Sequence, residues 1–250
     1  MQTNLSEEMR IAALLRSVPE KKRMGVIGRA SLLVGPDFTI ATLKELFEWQ
    51  MALIEINGLA QADEIKPLYP LLARIPDIVR KDGILPFIIM VNRQGLAFSE
   101  RMVRVMVNGL RGISYLDDNR LANTDELPAG HYLATIVEDG RHCLGRHPDN
   151  CLKEFSVLNR FGGTTAEGIT LAMITPEVLV HHSIDTPGSV YDGNDGRSTP
   201  CISFSSVATF RDANYSHPKL FSWAAWKKKV PYFDFCGSIS VGGRLGLPIC

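Results

Sequence analysis

Phe161-Gly162-Gly163-Thr164-Thr165-Ala166-Glu167-Gly168-Ile169 opens the part of the chain that decides the fold. Thr164 and Glu167 stand at the spacing where a threonine caps a helix and the glutamate returns to the cap's own amide. Ile169, Ala172 and Met173 give the helix that follows an apolar face, and Thr175-Pro176-Glu177 interrupts it. Three runs beyond it, 200–210, 219–226 and 232–245, read as strands joined by polar turns.

Upstream, helices dominate. Asn4 and Glu7 predict a short amphipathic helix over 5–16, ended by Pro19. Asp37 is the expected cap of a longer helix over about 39–57, with Leu43, Leu46, Phe47, Met51 and Ile54 inward and Gly58 as its left-handed stop. Prolines 67, 70 and 76 cut the next stretch into short helical turns. The unbroken apolar run 84–91 reads as a buried strand, and 131–138 as another. Between them a helix is expected from Ser99, with Met102, Val105, Met106 and Leu110 inward. Pro148 opens a helix to about Arg160, with Cys151, Phe155 and Leu158 on one side. Helices early and strands late, without regular alternation, predict an α+β fold with a mixed or antiparallel sheet. The expected division is a helical N-terminal region, 1–82, and a mixed domain, 83–250, with one continuous domain as the alternative.

A formal net charge of zero argues against bulk binding to nucleic acid or an anionic membrane. The first residues lack the basic-then-apolar order of a secretory signal, and no apolar run approaches a membrane span. A cytoplasmic protein is therefore expected, with its five cysteines reduced.

Several motifs invite chemistry and also have plainer explanations. His142-Cys143-x3-His147-x3-Cys151 matches no zinc spacing, so no metal is expected. Asp192-x-Asn194-Asp195-Gly196 places its glycine one position early for a calcium loop and reads as a polar hairpin turn. Gly162-Gly163 before a helix could cradle a phosphate, but the segment before it looks helical, which favours a glycine stop running into a capping box. Trp223-x2-Trp226 followed by Lys227-Lys228-Lys229, near Arg211 and His217, resembles a nucleic-acid platform and equally a sheet core with a solvated turn.

One resemblance rests on order and spacing over about 83–246. It is carried by Leu85-Pro86-Phe87, Asp139-Gly140, Arg146-x-Pro148-Asp149, Thr164-Thr165-x-Glu167-Gly168, Pro176-Glu177-Val178-Leu179, Pro187-Gly188-Ser189, Pro218-Lys219-Leu220, the Trp223/Trp226 pair and Gly237-Ser238-x-Ser240. Together these are similar to an uncharacterised bacterial protein family of unknown function. The family carries a cysteine after a Gly-Ser, where this chain has Val190.

No acid, base and nucleophile converge in the sequence. The leading expectation is therefore a non-catalytic binding or protein-interaction protein without a cofactor. A protein partner or a homo-oligomer is open to it; a membrane is excluded and nucleic acid disfavoured. The alternative is a small-molecule enzyme with a pocket on the C-terminal strands. The ligand-binding candidates are Ser189, Arg211, His217, Trp223 and Trp226.

Overall fold

The computed structural model describes residues 37–38, 40–76, 83–107, 110–194, 196–204, 218–222 and 236–247. The helix expected over 5–16, and Arg211, His217, Trp223 and Trp226, lie outside the described residues.

Helix α1 spans Leu43–Ile56. Its cap is Thr42 rather than Asp37. Thr42 Oγ1 accepts from the Glu45 amide at 3.2 Å, and Glu45 Oε2 accepts from the Thr42 amide at 2.7 Å. The Asp37 carbonyl instead closes the turn before the helix, onto the amides of Ile40 and Ala41. Gly58 ends the helix at φ +65°, as its sequence position predicts. Helix α2 (Ala62–Ile65) runs into a 3-10 helix, Lys66–Arg74, that holds Pro70.

Strand β1 is Ile84–Met90 and α3 is Phe98–Met102; the short strands β2 (Met106–Val107), β3 (Leu110–Arg111), β4 (Ile113–Ser114) and β5 (Leu121–Asn123) follow. The helical pattern expected through Leu110 thus stops at Met102. The β-branched Val105 and Val107 favour extended chain beyond it. Next come β6 (Tyr132–Glu138), a 3-10 turn (Arg141–Cys143), α4 (Pro148–Val157), β7 (Phe161–Gly162), α5 (Thr165–Ile174) and α6 (Val178–His181). The chain continues as β8 (Ser183–Asp185), β9 (Ser189–Gly193), β10 (Gly196–Ser198), β11 (Pro200–Phe204), β12 (Pro218–Ser222), β13 (Cys236–Ser238) and β14 (Ser240–Gly246). Strands β9 and β10 form a hairpin, as the composition of 192–196 predicts, with Gly193 paired to Gly196 and Asp192 to Arg197.

Among the described residues the main sheets are an antiparallel one, ordered β1-β6-β14-β7, and a mixed one, ordered β13-β8-β11-β12-β4. One core joins α1 and the 3-10 helix to Phe87, Ile89, Val91 and Leu133 of the first sheet. The larger core joins Ile88, Met90, Tyr132 and Ala134 to Ile169, Leu171 and Ala172 of α5 and to Ile184, Ile202 and Leu220 of the mixed sheet. Strand β1 is therefore covered on both sides, which explains its unbroken apolar run. Its open edge is closed by a side chain. Buried Gln50 of α1 donates to the Phe87 carbonyl at 3.0 Å and accepts from the Ile89 amide at 2.8 Å, as a neighbouring strand would. The architecture is α+β.

The antiparallel sheet has one irregular rung. Ile136 has φ 51°, a conformation a β-branched residue rarely takes. By the flanking register, Pro86 and Gly242 stand opposite it on β1 and β14. Pro86 has no amide to pair, and a Cβ on Gly242 would meet Ile136 Cβ at 2.7 Å. Alternation changes side at this rung. Leu85, Val137 and Val241 all join the larger core, together with Ile88 and Ala134, although simple alternation separates each odd position from the even ones.

Candidate functional site

The N-terminus of α5 is where the sequence and the structure converge. Thr164 Oγ1 accepts from the Glu167 amide at 3.3 Å, and Glu167 Oε2 accepts from the Thr164 amide at 2.7 Å. The capping box is formed as its spacing predicts, and both residues are fully buried. A buried carboxylate needs a counter-charge. Arg244 of β14 provides it with a two-pronged contact, Nε to Oε1 at 2.8 Å and Nη2 to Oε2 at 3.1 Å. Tyr132 Oη donates to Glu167 Oε1 at 3.0 Å. Burial first, and the Glu167 charge second, push the Tyr132 phenol well up, so it serves as a neutral donor. Burial alone would lower the Arg244 guanidinium; its hydrogen bonds to Glu167 and the Glu167 charge reverse that and leave it raised.

Ser189 belongs to this junction. Its Oγ accepts from the Thr165 amide at 2.9 Å and donates to Asn123 Oδ1 at 2.9 Å, and it is fully buried. The hydroxyl thus clips β9 and β5 to the first turn of α5. Thr165 Oγ1 lies 3.2 Å from Thr186 Oγ1, which donates to the Pro200 carbonyl at 3.0 Å. The Thr165 and Glu167 amides of this first turn are therefore taken by Ser189 and Thr164. The two glycines before the helix are not a helix stop. Helix α4 ends earlier, at Asn159 with φ 54°, whose neighbour Arg160 returns its amide to the Phe155 carbonyl at 2.8 Å. Gly162 sits in β7 because Gly188 passes against it, and a Cβ on either residue would collide with the other's backbone.

A second buried group lies under α4. Cys143 and Cys151, with Phe155, form a small core of their own, and both thiols are fully buried and reduced. The sequence cluster that held them is split: the thiols point in and the imidazoles out. His142 Nε2 meets Glu154 at 3.2 Å, and His147 Nδ1 accepts from the Asp149 amide at 3.3 Å. Among the described residues no group of three or more metal-ligating side chains gathers. The neighbouring Cys151 thiol, more than burial, pushes Cys143 up, and the interaction with Cys143 brings Cys151 down to about 6.

Asp185, at the end of β8, stands between Ser238 of β13 and Cys201 of β11 in the register of the mixed sheet. It is fully buried, and neither carboxyl oxygen meets a donor at good geometry. Burial pushes it up to about 7; the Cys201 thiol pulls it partly back, and Cys151 adds to the rise. Ser238 Oγ is likewise buried without a well-aligned partner. His182, three residues before Asp185, contacts the Asp139 carbonyl at 2.8 Å and is held below the usual imidazole range by burial.

The surface next to these groups is apolar. Val157, Leu158 and Phe161 are 85%, 57% and 40% exposed. Leu158 was expected on the inner side of α4; it falls past the last helical turn and faces out. The Phe161 ring rests on the Arg244 guanidinium, 4.7 Å from its centroid. Neither the Asp185–Ser238–Cys201 rung nor the Glu167–Arg244 pair is visible in sequence spacing, since each joins strands or elements remote along the chain.

Among the described residues no helix is long and apolar enough to cross a membrane. No curated protein and no solved structure matches the chain. A family model described as a family of unknown function (DUF5701) matches residues 49–232, and the chain belongs to that family.

Proposed function

We propose that the protein is a non-catalytic protein-interaction protein of the cytoplasm, and that it binds its partner through the apolar surface at the end of α4. The observation that carries the reading is the exposure of Val157, Leu158 and Phe161 where the end of α4 turns into β7. Clustered exposed apolar side chains mark contact surfaces. This turn is not a frayed end: the Asn159 and Arg160 amides are both bonded to α4 carbonyls. The Arg160 guanidinium is further anchored to Glu138 and to the Ile136 carbonyl. The apolar groups are thus held outward on a rigid support, and a rigid surface loses little entropy on binding. The paired ionisable groups Glu167 and Arg244 are buried and serve as an internal support.

The test places a photocrosslinker at position 157 of the full chain in its native cell and measures the oligomeric state of the purified protein. The reading expects a discrete protein adduct or a self-adduct at 157 that Leu158→Asp reduces at least about tenfold. Absence of any adduct together with a strictly monomeric protein overturns it.

A further inference from the structure

We infer that the partner is a second copy of this chain, an inference that rests on the α4 end being a contact surface. The two copies join their antiparallel sheets edge to edge, β14 against β14, about a two-fold axis at Leu245. The sheet has a vacant lane for this. Strand β7 pairs with β14 only at Ser240↔Gly162 and Val241↔Phe161, whereas β6 pairs with it as far as Gly246. The chain before Phe161 turns away at Asn159 and Arg160, whose amides are bonded back to α4. From Gly242 to Gly246, therefore, one side of β14 has no strand beside it among the described residues. These residues are all partly exposed, and the lane opens next to Phe161 of the apolar surface.

The register shows which backbone groups face the lane. The Leu247 amide donates to the His131 carbonyl at 3.4 Å, so Leu247 faces β6. By alternation Leu245 faces β6 as well, and Arg244 and Gly246 turn their N–H and C=O groups into the lane. The side chains agree. Ile239 accepts from the Gly163 amide at 3.0 Å, so Ile239 and Val241 face β7. Both lie in the larger core, on the face where Arg244 meets Glu167, whereas Leu245 packs with the α1 core on the other face. Among the described residues no backbone bond reaches Arg244 or Gly246 from the lane side.

The opposite edge of the sheet is covered, since Gln50 takes outward groups of β1. Edges that stay single carry such a cover, or lysine and proline. The vacant stretch of β14 contains no lysine or proline, and its one charge, Arg244, is turned inward to Glu167 and is 4% exposed. The stretch is also complementary to itself. A two-fold axis at Leu245 sets Arg244 opposite Gly246 of the second copy, and Gly246 opposite Arg244. The outward groups of each copy then pair with those of the other. Leu245 meets its own counterpart, an apolar pair on the axis. Neighbouring axes are poorer. One at Gly246 sets Arg244 opposite Pro248, which has no amide, and one at Arg244 sets two residues of like charge against each other. The entering strand runs toward Phe161, which places the apolar surface of each copy at the end of the joint.

The test uses the full-length protein in solution. Sedimentation over a range of concentrations should show a monomer–dimer equilibrium. Amide hydrogen exchange, read residue by residue, should slow at least about tenfold at Arg244 and Gly246 as the dimer forms. The Ile89 amide, already bonded to Gln50, should not change. Leu245→Lys puts like charges on the axis and should weaken the dimer at least about tenfold, while Leu245→Met keeps it. A monomer at every concentration, or a dimer with unchanged exchange at Arg244 and Gly246, overturns the β14 joint on the unmutated protein, whatever Leu245→Lys does to folding. The two readings fail separately. If a crosslinker at position 157 of a monomeric protein captures a different protein, the contact surface stands and the second copy is refuted. If it captures nothing, both are refuted.

Discussion

Replacing Gln50 with leucine should cost the protein far more than a change of one polar side chain suggests. The Gln50 amide closes the outer edge of β1, at 3.0 Å to the Phe87 carbonyl and 2.8 Å to the Ile89 amide. Phe87, Ile89 and Gln50 are all at most 1% exposed, so water cannot take over. Leucine has similar reach but offers neither a donor nor an acceptor. Each backbone group left unpaired costs about 1–3 kcal/mol, and the additional apolar burial returns about 1–2 kcal/mol. The net loss is therefore about 3 kcal/mol, out of a total stability of about 5–15 kcal/mol. The assay is the urea midpoint together with hydrogen exchange at the Ile89 amide. Gln50→Leu should lower the midpoint and speed exchange at Ile89 selectively. Gln50→Glu keeps the acceptor for Ile89 but turns a carboxylate toward the Phe87 carbonyl, and should be at least as damaging. A loss below about 0.5 kcal/mol with unchanged Ile89 exchange would refute the idea that Gln50 stands in for a strand.

Three further outcomes follow from the same structure. Arg244→Met should destabilise by about 3–5 kcal/mol in chemical denaturation, because it leaves Glu167 buried without its counter-charge; adding Glu167→Gln should recover part of the loss. Asp185 holds its proton in the folded protein up to about pH 7, whereas the unfolded chain loses it near 3.8. Between those values the folded state binds more protons, so this group's contribution is full below pH 3.8, falls on the order of 4 kcal/mol as pH rises toward 7, and is flat above. His182 and Cys151 are lowered and slope the other way, so the measurement is the wild-type minus Asp185→Asn difference in unfolding free energy across that window; a flat difference would refute the assignment. Gly237→Ala should cost about 3 kcal/mol, since its Cβ would collide with the Gly140 carbonyl, while Gly58→Ala, with open space but φ +65°, should cost about 1 kcal/mol; equal midpoint shifts would contradict this ordering.

The parts of the fold that were legible in the sequence are those set by near neighbours. Thr164 and Glu167 announce their helix because cap and box partners lie within one turn. Gly58 marks the end of α1, and the uninterrupted run at β1 predicts burial on both faces. Periodicity misled where it was carried past an element's true end: Leu110 and Leu158 continue a helical spacing on paper but are exposed on a strand and a turn. Gln50 reads as an ordinary polar position on α1, because its partners are 37 and 39 residues away. The α5 junction was half visible. Gly188-Ser189 stood out as a motif, but its use as a clip on Thr165 depends on strand pairing that no local pattern encodes. Cys143 and Cys151 stand in the sequence beside His142 and His147, but which of these side chains is buried depends on packing that spacing does not encode: the thiols are inside and His142 meets Glu154 outside.

The irregular rung at Pro86, Ile136 and Gly242 fixes the alignment of the strands. A regular antiparallel ladder can slide by two residues and still point its apolar side chains correctly. Here a slide would set an ordinary residue with a side chain against the inverted Ile136, and would oppose the face change on one strand to regular alternation on the next. The three strands can therefore pair in only one alignment. A residue inserted into any one of them above or below that rung would have to be absorbed within its own segment as a bulge, and the positions of Glu138 and Ser240, one turn of the pleat beyond it, are set by the same constraint.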